Sequence, residues 1–149
     1  MQKPPNVCLP KDYLSGEKET IRKILDMKRI AIVGISDKQD RPSFHVAEYL
    51  ASQGYDIVPV NPNLQEWRGK KCYPDLASIP DKIDVVDVFR KPEVVPSVVQ
   101  EAARLGVKAV WLQEGVISQE AEAIAKKAGM LFVMDRCMMK EHMKLKSEN

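Results

Sequence analysis

Hydrophobic positions along the chain fall into two alternating patterns, short β-branched runs and stretches with apolar residues at helical spacing. Ile21, Ile24 and Leu25 recur at such spacing after Ser15, a good N-cap, with Glu17 and Glu19 in the first turn, which predicts a short amphipathic helix. Residues 1–14 carry three prolines and no period, and read as an extended arm ahead of a body spanning 15–145. Arg29-Ile30-Ala31-Ile32-Val33, ended by Gly34, predicts a strand buried on both faces. The segment 43–53 reads as a helix closed by Gly54, and 55–62 as a second strand, with Pro59 marking an edge or a bulge.

A short extended piece at Lys71-Cys72-Tyr73 is followed by a strand over 84–89, whose aspartates are expected to be peripheral or capped. Helices are predicted at 93–105 and 118–128, closed by Gly106 and Gly129, and strands at 108–112 and 130–134. The tail from Met138 is expected to add one helical turn before fraying. This βα alternation predicts one α/β, Rossmann-like three-layer domain, with a mostly parallel sheet of five to six strands and right-handed crossovers.

Composition narrows the function classes. The 149 residues are 44% hydrophobic and 30% charged, with no apolar run near the roughly 20 residues of a membrane span. Lys and Arg number 23 against 21 Asp and Glu, too balanced for the field that nucleic-acid binding needs. Cys8, Cys72 and Cys137 form no C-x-x-C pair, which speaks against a disulfide framework or a structural zinc site. The N-terminus has no secretory pattern, so a cytoplasmic location is expected.

Ligands of open parallel sheets bind outside the carboxyl ends of the strands, which selects the residues after each one. Gly34-Ile35-Ser36 and Arg41-Pro42-Ser43 combine close backbone approach, a helix start, hydroxyls and a cation, features suited to phosphate oxygens. The loop is not the dinucleotide fingerprint G-x-G-x-x-G, because Ser36 replaces the second glycine. Asn61 and Pro62 stand where a nicotinamide dinucleotide site would place an acidic residue, and Arg68, Lys70 and Lys71 follow as alternative phosphate partners. Phe89-Arg90-Lys91 offers a ring beside two cations, Gln113 a side-chain amide, and Arg136-Cys137 a cation and a thiol. His45 and His142 belong to no acid/base or metal constellation, so no catalytic residue is assigned and no metal is expected.

Taken in order, Ala31-Ile32-Val33-Gly34-Ile35-Ser36, Arg41-Pro42-Ser43, Val60-Asn61-Pro62, Val86-Asp87-Val88-Phe89-Arg90-Lys91-Pro92-Glu93, Trp111-Leu112-Gln113-Glu114-Gly115 and Met134-Asp135-Arg136-Cys137 resemble the small CoA-binding domain proteins. The layout is also similar to the N-terminal domain of the succinyl-CoA synthetase alpha subunit. The resemblance implies a Rossmann-like domain whose ligand is coenzyme A or an acyl-CoA. Gly34, Ile35 and Ser36 would line the phosphates, and Arg41 and Ser43 would add contacts to them. Val60, Asn61 and Pro62 would border the adenosine, Phe89 and Arg90 would flank it, and Gln113 and Arg136 would be looser contacts. Leu64 falls near the place of a synthetase lysine, and the synthetase's phosphohistidine lies in a following domain outside these residues, so ligase activity is not carried over. The expectation is a binding or regulatory protein, not an enzyme on its own. The alternatives are an NAD(P)-dependent oxidoreductase and a partner-dependent subunit of a split acyl-CoA ligase. A homodimer or another protein partner stays open.

Overall fold

A computed structural model describes residues 11–148. Helix α1 (Lys11–Leu25) leads into β1 (Arg29–Val33), α2 (Pro42–Ser52) and β2 (Asp56–Val60). A two-residue hairpin, β3 (Glu66–Trp67) and β4 (Lys70–Lys71), precedes β5 (Val85–Val88). Then follow α3 (Val95–Arg104), β6 (Ala109–Leu112), α4 (Gln119–Lys127), β7 (Leu131–Val133) and α5 (Met138–Ser147). The large sheet is five-stranded and parallel throughout, in the order β2-β1-β5-β6-β7. Successive side chains alternate between two cores. Ile30, Ile32, Val85 and Trp111 pack under α1, α2 and α5, whereas Ala31, Val33, Val86, Val88 and Leu112 pack under α3 and α4. The three-layer domain expected from the sequence is therefore present. Among the described residues no helix is long and apolar enough to cross a membrane.

Chain direction across the sheet fixes where a ligand can enter. From β1 the chain moves outward to β2, then returns past β1 to β5, so the switch point lies between β1 and β5. Pro59 sits on the edge strand β2, where a missing ladder donor costs little. The outer side of β2 is partly covered by Tyr73, whose amide donates to the Pro59 carbonyl at 3.0 Å.

Several elements depart from expectation. Backbone is helical from Lys11, ahead of the expected start at Ser15. The last proline of the expected arm is Pro10, and no residue between it and Ser15 breaks a helix. The expected arm otherwise falls on residues 1–10, outside the described residues. The tail forms a ten-residue helix, not a single turn, because Met138 is fully buried and Met139 and Leu145 pack against the core. His142 Nδ1 and the Tyr49 hydroxyl, 2.8 Å apart, fasten this helix to α2. Asp84 is capped as expected, accepting from the Arg29 amide at 3.0 Å. Asp87 is not peripheral: it is 0% exposed in the middle of β5, between Ile32 and Trp111.

Candidate ligand cavity at the carboxyl edge

β1 ends at Gly34, which turns with φ +89° beneath the end of β5. A Cβ at this position would overlap the Phe89 carbonyl oxygen and lie 2.9 Å from Arg90 Cδ, so only glycine lets the two strand ends meet. The loop that follows is held from within. The Ser36 amide donates to Ser43 Oγ at 3.0 Å, and the Lys38 amide donates to Ser36 Oγ at 3.0 Å. Ser43 Oγ thereby accepts one bond and keeps its own proton to donate. Pro42 occupies the first turn of α2, where its fixed φ suits the helix.

Above these strand ends opens a cavity of about 680 Å³, within the size range of small-molecule sites. Gly34, Ser36, Arg41, Pro42, Ser43, Phe89, Arg90, Lys91 and Gln113 all line it, so nine of the residues singled out from sequence converge. Most of its wall is apolar, from Val46, Phe89, Val116 and Met139, with cations at the rim. Of the seven arginines in the chain, five lie in ion pairs: Arg22, Arg29, Arg68, Arg104 and Arg136. Arg41 and Arg90 have no carboxylate partner among the described residues, and both line the cavity.

Five expected contacts are not lining residues. Ile35 is fully buried in the core and can offer only backbone. Val60 is buried in the opposite core, and Pro62 borders a separate small hollow with Val60 and Leu76. Asn61 is used to build the loop: its Nδ2 donates to the Ile35 carbonyl at 2.7 Å and its Oδ1 accepts from the Asn63 amide at 2.8 Å. Arg136 points instead to Glu17, at 2.6 Å, and to Glu141. The alternative cations fare no better. Arg68 pairs with Glu48, and Lys70 reaches the Ile57 carbonyl at the amino end of β2, away from the carboxyl edge.

Val46, Val116, Met139, Trp67 and Lys140 carried no local signal. Val46, Val116 and Met139 supply wall, and His45 lies at the rim. Trp67 donates its indole N–H to the Ser36 carbonyl at 3.0 Å and packs edge-on against Phe44, pinning the first loop from outside. Lys140, from α5, meets both oxygens of Glu114 at 3.1 Å beside the opening, and that carboxylate raises the lysine's pKa. Cys137 lines the cavity at the start of α5 but is only 6% exposed, and burial pushes its thiol pKa up. Below the lining layer, Gln113 Nε2 donates to Asp87 Oδ1 at 2.8 Å. Burial drives the Asp87 carboxyl up to about 8, partly offset by that bond.

A three-layer domain built on a parallel sheet, with an apolar, cation-rimmed cavity at the switch point, defines a Rossmann-like fold of the kind that places its ligand sites at that edge. The family follows directly: residues 28–143 match the model of the CoA binding domain, and the chain belongs to that family. It is 39% identical to the protein YneT of Bacillus subtilis (strain 168), over 84% of this chain and 93% of that one. It is 32% identical to the ADP-forming acetate–CoA ligase II of Archaeoglobus fulgidus over 68% of this chain, but spans only 16% of that ligase. A solved structure of a hypothetical protein from Pyrococcus horikoshii OT3 superposes with a TM-score of 0.84 at 42% identity, covering 98% of this chain and 99% of the other. The chain is thus a CoA-binding-family domain related to ADP-forming acetate–CoA ligases.

Proposed function

We propose that this protein binds coenzyme A or an acyl-CoA in the cavity at the carboxyl ends of β1 and β5, and acts as a non-catalytic binding or regulatory protein. The observation that carries the reading is the pair of arginines, Arg41 and Arg90, left without carboxylate partners among the described residues while the other five are in ion pairs. Phosphate oxygens are the natural complement, through charge-assisted bonds from guanidinium groups. Lys91, the Ser43 hydroxyl and the first turn of α2 add donors on the same side. Phe89 gives an adenine ring a surface, and the apolar wall from Val46 to Met139 suits the pantetheine arm and an acyl group. The proposed setting is the cytoplasm, in keeping with the free, buried thiols of Cys72 and Cys137.

Calorimetry on the whole chain tests this. Coenzyme A should saturate one site, and Arg41→Ala or Arg90→Ala should weaken it about ten- to hundredfold, while Arg104→Ala should not. Saturation by NADP with none by coenzyme A would overturn the reading. The oxidoreductase alternative has less support, because Asn61, at the end of β2, spends its side chain on Ile35 and Asn63. Relation to the ADP-forming ligases favours a second reading, in which the domain serves a ligase whose other parts lie on a separate chain. Co-purification of a nucleotide-binding ligase subunit, with acyl-CoA synthesis only in the mixture, would support it.

A further inference from the structure

Ser43, Asp87 and Gln113 are the buried polar residues among the described residues, and all three gather at the cavity or directly beneath it. Buried polar atoms need partners, so a valence left open there marks what a ligand has to supply. Ser43 Oγ already accepts from the Ser36 amide and belongs with the phosphate loop. Asp87 Oδ1 accepts from Gln113 Nε2 at 2.8 Å. What is left is the other end of the Gln113 amide. Its Oε1 accepts no hydrogen bond among the described residues. The atoms sealed from solvent without a partner are Arg29 Nε and Asp87 Oδ2, and Gln113 Oε1 is not one of them, so it is open to the cavity that Gln113 lines.

The fold sets both the position and the orientation of this amide. Gln113 comes directly after β6, two places beyond Trp111 and on the same face of the sheet, the one covered by α2 and α5. Its carbonyl accepts from the Val116 amide at 2.9 Å across a turn in which Gly115 has φ +84°, and the Gly115 amide donates to Asp135 Oδ1 at 2.8 Å. A carboxyl accepts at Oδ1 whether or not its other oxygen carries a proton, so Asp87 holds Nε2 in either state. Asp87 Oδ2 makes no bond, so Oε1 is not folded back onto the acid. Val46, Val116 and Met139 make the wall of the cavity apolar, whereas Arg41, Arg90 and Lys91 are exposed at the rim. The buried floor is thus an amide acceptor set in an apolar wall. A ligand arm that displaces water from such a place must donate in its turn or leave Oε1 unpaired. A ligand carbonyl there would only meet a second acceptor.

We propose that Gln113 is a specificity-determining residue whose Oε1 accepts a hydrogen bond from an N–H or S–H on the neutral arm of the ligand, with Asp87 as the positioning residue that holds the amide in that orientation. The proposal rests on the coenzyme A reading, within which the donor is a pantetheine amide or the terminal thiol. Adenosine 3′,5′-bisphosphate, which has no arm, should not sense Gln113.

Calorimetry on the whole chain decides it. Gln113→Met should bind coenzyme A about tenfold more weakly than wild type and the bisphosphate equally well, and the retained bisphosphate binding shows that the variant is folded. Asp87→Leu, which frees Nε2, should likewise weaken coenzyme A and not the bisphosphate. If the thiol is the donor, S-methyl-CoA and acetyl-CoA should bind wild type about tenfold more weakly than coenzyme A and be indifferent to Gln113→Met. If a pantetheine amide is the donor, all three should bind wild type alike and all three should lose affinity in the variant. Should a variant not fold, the wild type still decides. Either S-methyl-CoA binds it about tenfold more weakly than coenzyme A, or proton NMR shows a pantetheine amide proton of bound coenzyme A exchanging with solvent at least about tenfold more slowly than in the free ligand. Neither result, an equal loss of coenzyme A and the bisphosphate in Gln113→Met, or no loss of either, overturns the proposal and leaves the coenzyme A reading standing. Asp87→Leu binding every ligand as wild type does overturns the positioning role. Failure of wild type to bind any of the four ligands overturns the coenzyme A reading and the proposal with it.

Discussion

Replacing Asp87 by asparagine should make the stability of the fold less sensitive to pH in a window where few other groups act. The unfolded carboxyl titrates near 3.9, the folded one near 8. Between these values the native state holds a proton that the unfolded chain does not, so stability falls as pH rises, by about 1.4 kcal/mol per unit. His142, lowered from its ordinary value by burial, contributes the opposite slope, but only below about 6.5. Cys72 and Cys137, both raised by burial, act above the thiol range. From pH 6.5 to pH 8, Asp87 should therefore cost the wild type about 1.5 kcal/mol, allowing for partial ionisation near the upper end. Urea unfolding of both chains across this window isolates the effect, because groups that do not sense Asp87 cancel in the difference, and the Cys137 thiol, which does, is raised above the window. The margin of Asp87→Asn over wild type should widen by that amount with the urea slope unchanged. A margin that stays flat or narrows would refute the assignment of a neutral, buried Asp87.

Gly34→Ala should destabilise the domain by more than about 2 kcal/mol in urea titration, since a positive φ and an overlap with the Phe89 carbonyl coincide. A near-neutral effect would mean that the two strand ends are not in contact. Arg136→Ala should leave coenzyme A affinity within about twofold and cost no more than about 1 kcal/mol of stability, because its partners are Glu17 and Glu141. A tenfold loss in calorimetry would return Arg136 to the site. With Cys8 and Cys72 replaced by serine, Cys137 should react with a thiol reagent more slowly than a free thiol at neutral pH, and more slowly still with coenzyme A present. Reaction at the free-thiol rate would contradict its burial.

Most of the fold was legible because β1, β2 and β5 are short β-branched runs and α2, α3 and α4 each end near a glycine, signals that need only neighbouring residues. The tail helix was not, since Met138, Met139 and Leu145 become a coherent face only against α2 and the sheet. The hairpin Glu66–Trp67 with Lys70–Lys71 is too short to leave a period. At the site the same division holds. Gly34, Ser36, Arg41, Pro42, Ser43 and residues 89–91 fall together at the cavity because a strand end and a helix start in sequence mark the carboxyl edge directly. The same rule could not foresee that Arg136 pairs with Glu17, 119 positions away, and lies off the cavity lining. Val60-Asn61-Pro62 occupies the right edge, but Tyr73, just past the hairpin, pairs beside Val60, and the asparagine side chain is spent on Ile35 and Asn63.

The two ends of the cavity place opposite electrostatic demands on one ligand, and the structure meets them with opposite means. At the rim Arg41, Arg90 and Lys91 are exposed, so keeping them charged without partners costs little in high dielectric, and phosphate can complete them. At the floor an anion would be unsolvated and would oppose an incoming phosphate ligand through a medium that screens weakly. A neutral Asp87 removes that repulsion and keeps a hydrogen bond to Gln113. Exchanging the two ends would fail on both counts, since a buried arginine would need a permanent partner and an ionised floor would repel the ligand. The order of charge from rim to floor therefore suits a ligand that is anionic at one end and neutral at the other, as coenzyme A and its thioesters are. Asp87→Lys would introduce a buried cation in place of the neutral acid. It should unfold the domain at neutral pH, as judged by loss of the cooperative urea transition, and a folded variant that binds coenzyme A more tightly would show that the floor tolerates charge after all.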